Sequence, residues 1–158
     1  MIHPLISVFF DGTCGPLEPG EFGSSAFVVY KDDEVVHKEA RFFEANGTPV
    51  KATYAEYLAI IDALKWLLEK EEFKTHVRFY GDSLEVVRQL TGIWEVSPNL
   101  EHSYVQVKNL ASKLRDVSFN CVTFRRNMAA ATLAEQELLK NGVQPVRLTL
   151  KKSKKETA

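Results

Sequence analysis

The chain predicts an α/β domain: a five-stranded mixed sheet in the order β-β-β-α-β-α-β-α, with helices packed on its faces. Three observations carry this reading. Residues 5–10 are apolar at every position but Ser7, which marks a strand buried on both faces near the middle of a sheet. Residues 25–30 and 34–43 are strand-like and flank the polar link Lys31-Asp32-Asp33, the pattern of a hairpin. Beyond them, helical stretches separate the remaining strands, and such strands must be joined by parallel crossovers.

The elements follow in order. The first strand ends at Asp11, and Gly12-Thr13-Cys14-Gly15-Pro16, continuing through Pro19-Gly20 to Gly23, is dense enough in breakers to read as a loop. The hairpin then completes a three-stranded meander. Tyr54, Tyr57, Ile60, Ile61, Leu64, Leu67 and Leu68 recur at helical spacing, with Asp62, Lys65 and Glu69 on other faces, so a long helix comes next. Residues 76–80 form a strand, and 83–90 a short helix capped by Asp82 or Ser83. A helix over 104–114, a last strand over 117–124 and a final helix over about 129–140 complete the series. Asn141-Gly142 stops the final helix.

Composition bounds the function. With 158 residues and 45% hydrophobic content, the chain builds one ordinary core, expected over residues 1–143, followed by a basic, flexible tail over 144–158. A net charge of −1 excludes a strongly positive body, so nucleic-acid contacts must come from local patches such as Arg125-Arg126 and Lys151-Lys152-Ser153-Lys154-Lys155. Trp94 reads as a packing residue at the foot of its loop. Two cysteines, no leader pattern and no segment of transmembrane length point to an intracellular, cytoplasmic protein without a membrane partner.

The candidate chemistry lies in three acids. Asp11 and Asp82 each follow a buried strand, and the carboxyl ends of neighbouring parallel strands are where open α/β sheets place ligands. Glu56 stands beside the small residues Ala59 and Ala63, which let its helix approach the sheet closely. Singly, each acid has a commonplace reading as a turn former, a helix cap or a solvated charge. Brought together, three carboxylates require a cation, and oxygen ligands without His or Cys select Mg2+ or Mn2+.

The segments FFDGTCG, ATYAEYLAIIDAL, FYGDSLEVVRQLTGIWEV and FRRNMAAATLA span residues 6–139 in order, and together they resemble type 1 ribonuclease H in its compact archaeal and reverse-transcriptase-like form. The resemblance implies a ribonuclease H-like fold and hydrolysis of the RNA strand of RNA–DNA hybrids. It implies Asp11, Glu56 and Asp82 as metal ligands and two Mg2+ (or Mn2+) ions about 4 Å apart, with Asp11 bridging both. Gly12, Thr13, Thr53, Ser83, Arg125, Arg126 and Asn127 take the positions that contact nucleic acid.

This chain departs from the family at one catalytic position. Ala131 stands where the family carries a fourth aspartate, on the water-activating side of the pair. Water can fill a vacant place on Mg2+, so activity is expected to be weakened. Glu135 is one turn further on and would have to reach back about 6 Å, so it is not expected to substitute. The alternative reading is a non-catalytic, nucleic-acid-binding or tethering domain. A proofreading-type exonuclease needs Asp-x-Glu on the first strand, which Asp11-Gly12-Thr13 does not provide. The linker over residues 91–100 has no run of lysines, so a basic protrusion is not expected. No obligate protein partner and no separate N-terminal hybrid-binding module are expected either.

Overall fold

A computed structural model describes residues 5–147. Its strands are β1 (Leu5–Gly15), β2 (Phe22–Lys31), β3 (Glu34–Glu44), β4 (His76–Gly81) and β5 (Asp116–Cys121). They form one sheet in the order β3-β2-β1-β4-β5, so the most apolar strand lies in the middle. The β1–β2 and β2–β3 pairs are antiparallel, and the β1–β4 and β4–β5 pairs are parallel, as the crossovers require. Asp32 and Asp33 link β2 to β3 with φ of 50° and 69°, and two successive positive values suit the twist of a tight hairpin.

The predicted loop after Asp11 is instead strand. Residues 12–15 pair one by one with residues 22–25 of β2, and the connection shrinks to residues 16–21. Its glycines serve close approach, not chain reversal.

The helices are α1 (Ala52–Glu69), α2 (Leu84–Leu90), α3 (Glu101–Ala111) and α4 (Met128–Lys140). The third begins before its predicted start because Pro98–Leu100 forms a 3-10 turn that leads into it, with proline where no donor is missed. β5 is shorter than expected because Phe124–Asn127 forms a second 3-10 turn leading into α4.

α1 and α4 cover opposite faces of the sheet. On one face Ile6, Val8, Phe10, Phe27, Val77 and Phe79 pack against Tyr57, Ile60, Leu64 and Leu67 of α1, with Val107 of α3 behind them. Ala55, Ala59 and Ala63 are buried and let α1 lie close to the strands. No helix among the described residues is long and apolar enough to cross a membrane. Trp94, expected to pack, is 45% exposed, and Arg88 lies over its ring at 5.7 Å.

A carboxylate cluster as the candidate metal centre

Strand register sets the site. The parallel ladder between β1 and β4 ends at Phe9 opposite Tyr80, and extending the same register by two residues brings Asp11 level with Asp82. Gly12 then admits the third acid. A Cβ on Gly12 would lie 2.7 Å from Ala55 Cβ and would strike the backbone of Ala55 and Glu56, so only glycine lets α1 run this close to β1. Glu56 is carried to the level of Asp11 as a result.

The three carboxylates offer oxygen atoms that all lie within 4.8 Å of one another. Asp11 is 1% exposed, Glu56 7%, and Asp82 half-buried. Burial, together with the charge of Asp82, pushes the Asp11 carboxyl up to about 7 against the pull of Arg147. Glu56 is held well above the usual carboxylate range by burial and then by Asp11 and Asp82. Asp11 Oδ1 and Glu56 Oε2 are buried without a hydrogen-bond partner. Orphaned acceptors of this kind, crowded and desolvated, fit a hard divalent cation.

A cavity of about 520 Å3 opens onto the cluster and is lined by Gly12, Thr13, Glu56, Asp82 and Ser83 among others. Thr13 Oγ1 is buried and unpartnered there. Ser83 caps α2 by accepting from the Val86 N–H at 3.3 Å, and its hydroxyl, beside Glu56, draws that carboxyl back down.

Two residues of the cavity wall escape sequence reasoning. Glu18, in the connection between β1 and β2, accepts the Ala52 N–H at 3.0 Å and so caps α1 from a distance of 34 residues. Arg147 Nη2 donates to Asp11 Oδ2 at 2.8 Å, its Nε lies 3.4 Å from Glu135 Oε1, and its guanidinium stands 5.6 Å from the Phe124 ring centroid. The segment expected to begin a flexible tail therefore turns back onto the sheet. Gly15 makes room for it: a Cβ there would meet the Gln144 carbonyl and lie 2.9 Å from Val143 Cγ1. The lysine-rich remainder, residues 148–158, lies outside the described residues.

The other sequence candidates divide. Ala131 is 1% exposed, beneath α4 with Ala130 and Ala134, and offers only a methyl group. Glu135 does not take its place, since its carboxylate engages Arg147 instead of the cluster. Arg125 and Arg126 are exposed on the turn before α4, and Thr53 is half-buried in the first turn of α1; none of them lines the cavity. Asn127, expected to contact nucleic acid, lies inside the fold. It is 0% exposed, and its Nδ2 donates to Phe10 O at 3.0 Å, so it anchors α4 to the strand residue before Asp11.

Fold and site define a ribonuclease H-like α/β protein with a three-carboxylate centre. The chain belongs to the family described as reverse transcriptase-like, whose model matches residues 10–137, and its structure is similar to solved type 1 ribonucleases H. It is similar to the bifunctional protein Rv2228c of Mycobacterium tuberculosis, 31% identical over 121 residues, which cover 76% of this chain and 32% of that protein. The chain thus spans about a third of the length of the curated relatives it matches. The solved N-terminal RNase H domain of Rv2228c superposes with a TM-score of 0.74 at 26% identity, covering 85% of this chain and 93% of that one. RNase H1 of the halophilic archaeon Halobacterium salinarum gives 0.76 at 26% identity, covering 86% and 98%. LC11-RNase H1, solved in complex with an RNA/DNA hybrid, shares the fold with a TM-score of 0.76 at 21% identity over 86% and 98%.

Proposed function

We propose that this chain is a metal-dependent endoribonuclease acting on the RNA strand of RNA–DNA hybrids, with turnover weakened by Ala131. The observation that carries the reading is the convergence of Asp11, Glu56 and Asp82 within 4.8 Å, with buried oxygens left unpartnered. Relatives of the same fold are named as ribonucleases H, and one was solved with a hybrid bound.

Asp11, Glu56 and Asp82 would hold Mg2+ or Mn2+. Bound there, the ion supplies a Lewis acid for a phosphoryl oxygen and lowers the pKa of coordinated water. The chain's own residues do the rest. Ser83 stands beside the Glu56 carboxylate and favours its charged form, and Gly12, lacking a side chain, holds the floor of the cavity close to α1. Thr13 lies in the wall of the same cavity, its hydroxyl buried and unpartnered. Thr53, Arg125 and Arg126 lie outside the cavity, where they would meet the flanks of a long duplex. An intracellular setting suits Cys121, exposed and unpaired.

The test is cleavage of a labelled hybrid with Mg2+ or Mn2+. Cleavage should disappear in Asp11→Asn and strengthen in Ala131→Asp. A second reading, a non-catalytic hybrid-binding domain, draws on the buried methyl of Ala131 in place of an acid. It wins if Ala131→Asp stays inert with Mn2+ at high enzyme concentration while hybrid binding persists.

A further inference from the structure

The two oxygens of Asp11 have different fates. Oδ2 accepts from Arg147 Nη2 at 2.8 Å, whereas Oδ1 is buried without a partner. Arg147 also lies 3.4 Å from Glu135, a residue of α4 one turn beyond Ala131, so its guanidinium sits between β1 and α4. Ala131, where the resemblance places an aspartate, stands on that helix one turn before Glu135. The guanidinium is itself largely enclosed, with its side chain 25% exposed.

We propose that the centre is built for one divalent ion, held by Asp11, Glu56 and Asp82, with the Arg147 guanidinium as a resident second cation on the Ala131 side. Charge favours this arrangement. One divalent ion and one guanidinium bring three positive charges to the cluster and Glu135, whereas a second divalent ion would find Asp11 Oδ2 already engaged and Ala131 without an oxygen to give. Shape favours it too. A guanidinium carries its donors in a planar fork, so while Nη2 serves Asp11 and the charge faces Glu135 it still has N–H groups, the unpartnered Nε among them, to direct at an anionic oxygen, and it needs no ligand from Ala131. Arg147 thereby acts through Asp11 as a positioning and charge-compensating residue.

This assignment rests on the nuclease reading for its consequence but not for its test. Mn2+ titration of the full-length protein without substrate, followed by electron paramagnetic resonance, should show one bound equivalent, lost in Asp11→Asn. In Arg147→Ala the single ion should bind about tenfold more tightly, because a positive neighbour has gone. Arg147→Lys should stay near the parent affinity, and it keeps the test alive if the alanine variant does not fold. With hybrid present at saturating Mn2+, Arg147→Ala should cleave at least tenfold more slowly, and added guanidinium ion should restore part of the rate.

Two Mn2+ equivalents in the parent protein would overturn the proposal. So would an affinity unmoved in Arg147→Ala, or faster cleavage by that variant, which would make the arginine a latch that ions must displace. If no variant cleaves or binds hybrid, the nuclease reading fails on its own, and the stoichiometry and affinity shifts still decide the role of Arg147.

Discussion

Ser24 and Ser25 are neighbours on β2 that bond helices on opposite faces of the sheet: Ser24 Oγ donates to Ala134 O of α4, and Ser25 Oγ to Ala55 O of α1, each at 2.6 Å. The alternation of a strand makes this division possible, since successive side chains leave the sheet in opposite directions. Ala55 immediately precedes Glu56, so the second bond also fixes the height of a cluster acid. Replacing Ser25 with alanine removes the second donor of a carbonyl that keeps its intrahelical bond, and should lower stability by about 0.5–1.5 kcal/mol in urea unfolding. It should also weaken Mn2+ binding. Ser24→Ala should cost a similar amount of stability and leave the ion's affinity nearly unchanged.

Gly12→Ala tests the close approach of α1. The added methyl would drive into the Ala55 and Glu56 backbone, and backbone cannot swing aside as a side chain can. A loss of about 1–3 kcal/mol in thermal or urea unfolding is expected, accompanied by weaker ion binding as Glu56 is pushed away from Asp11.

The pH dependence of the ion-free protein follows from Asp11 and Glu56. Both carboxyls are raised in the folded state, so folding takes up protons, and the resulting stability is complete below the unfolded value of about 4. It is lost as pH rises through about 7 for Asp11, and Glu56, raised in the same direction, adds a loss of the same sign. The melting temperature of metal-free protein should therefore fall between pH 5 and 8, taking those limits as about 5 and 8. Divalent ion should raise it, most strongly at the upper end. A melting temperature that climbs with pH in the presence of a chelator would contradict this.

Asn127→Ala removes the amide that accompanies Phe10 O. A buried carbonyl left without a donor costs about 1–3 kcal/mol, measurable by unfolding. Because Phe10 precedes Asp11, the variant should also bind Mn2+ less tightly, with no change in the salt dependence of hybrid binding if Asn127 touches no nucleic acid.

Local patterns carried most of the fold and three residues of the site. The apolar run at residues 5–10, the hairpin link at Asp32-Asp33 and the helical period from Tyr54 to Leu68 each act over a few residues, and each produced its element. The same locality misread residues 12–15, where glycine counts as a breaker although Gly12 and Gly15 are there to let α1 and the segment at 143–144 come near. Glu18 and Arg147 left no trace of their roles. Their partners are 34 and 136 positions away, and no periodicity links charges at that separation. Asn127 resembled a polar surface residue because sequence does not reveal that its amide turns inward to Phe10.

The bond between Arg147 and Asp11 also bears on the order of synthesis. Asp11 is among the first residues of the domain to leave the ribosome, and the arginine that pairs with it follows 136 positions later. Until then Asp11 lacks the guanidinium that offsets it in the finished fold, so an early ion or a bound proton would serve as a provisional companion. Docking of the segment at 143–147 against Gly15 then closes the domain at the strand where it began.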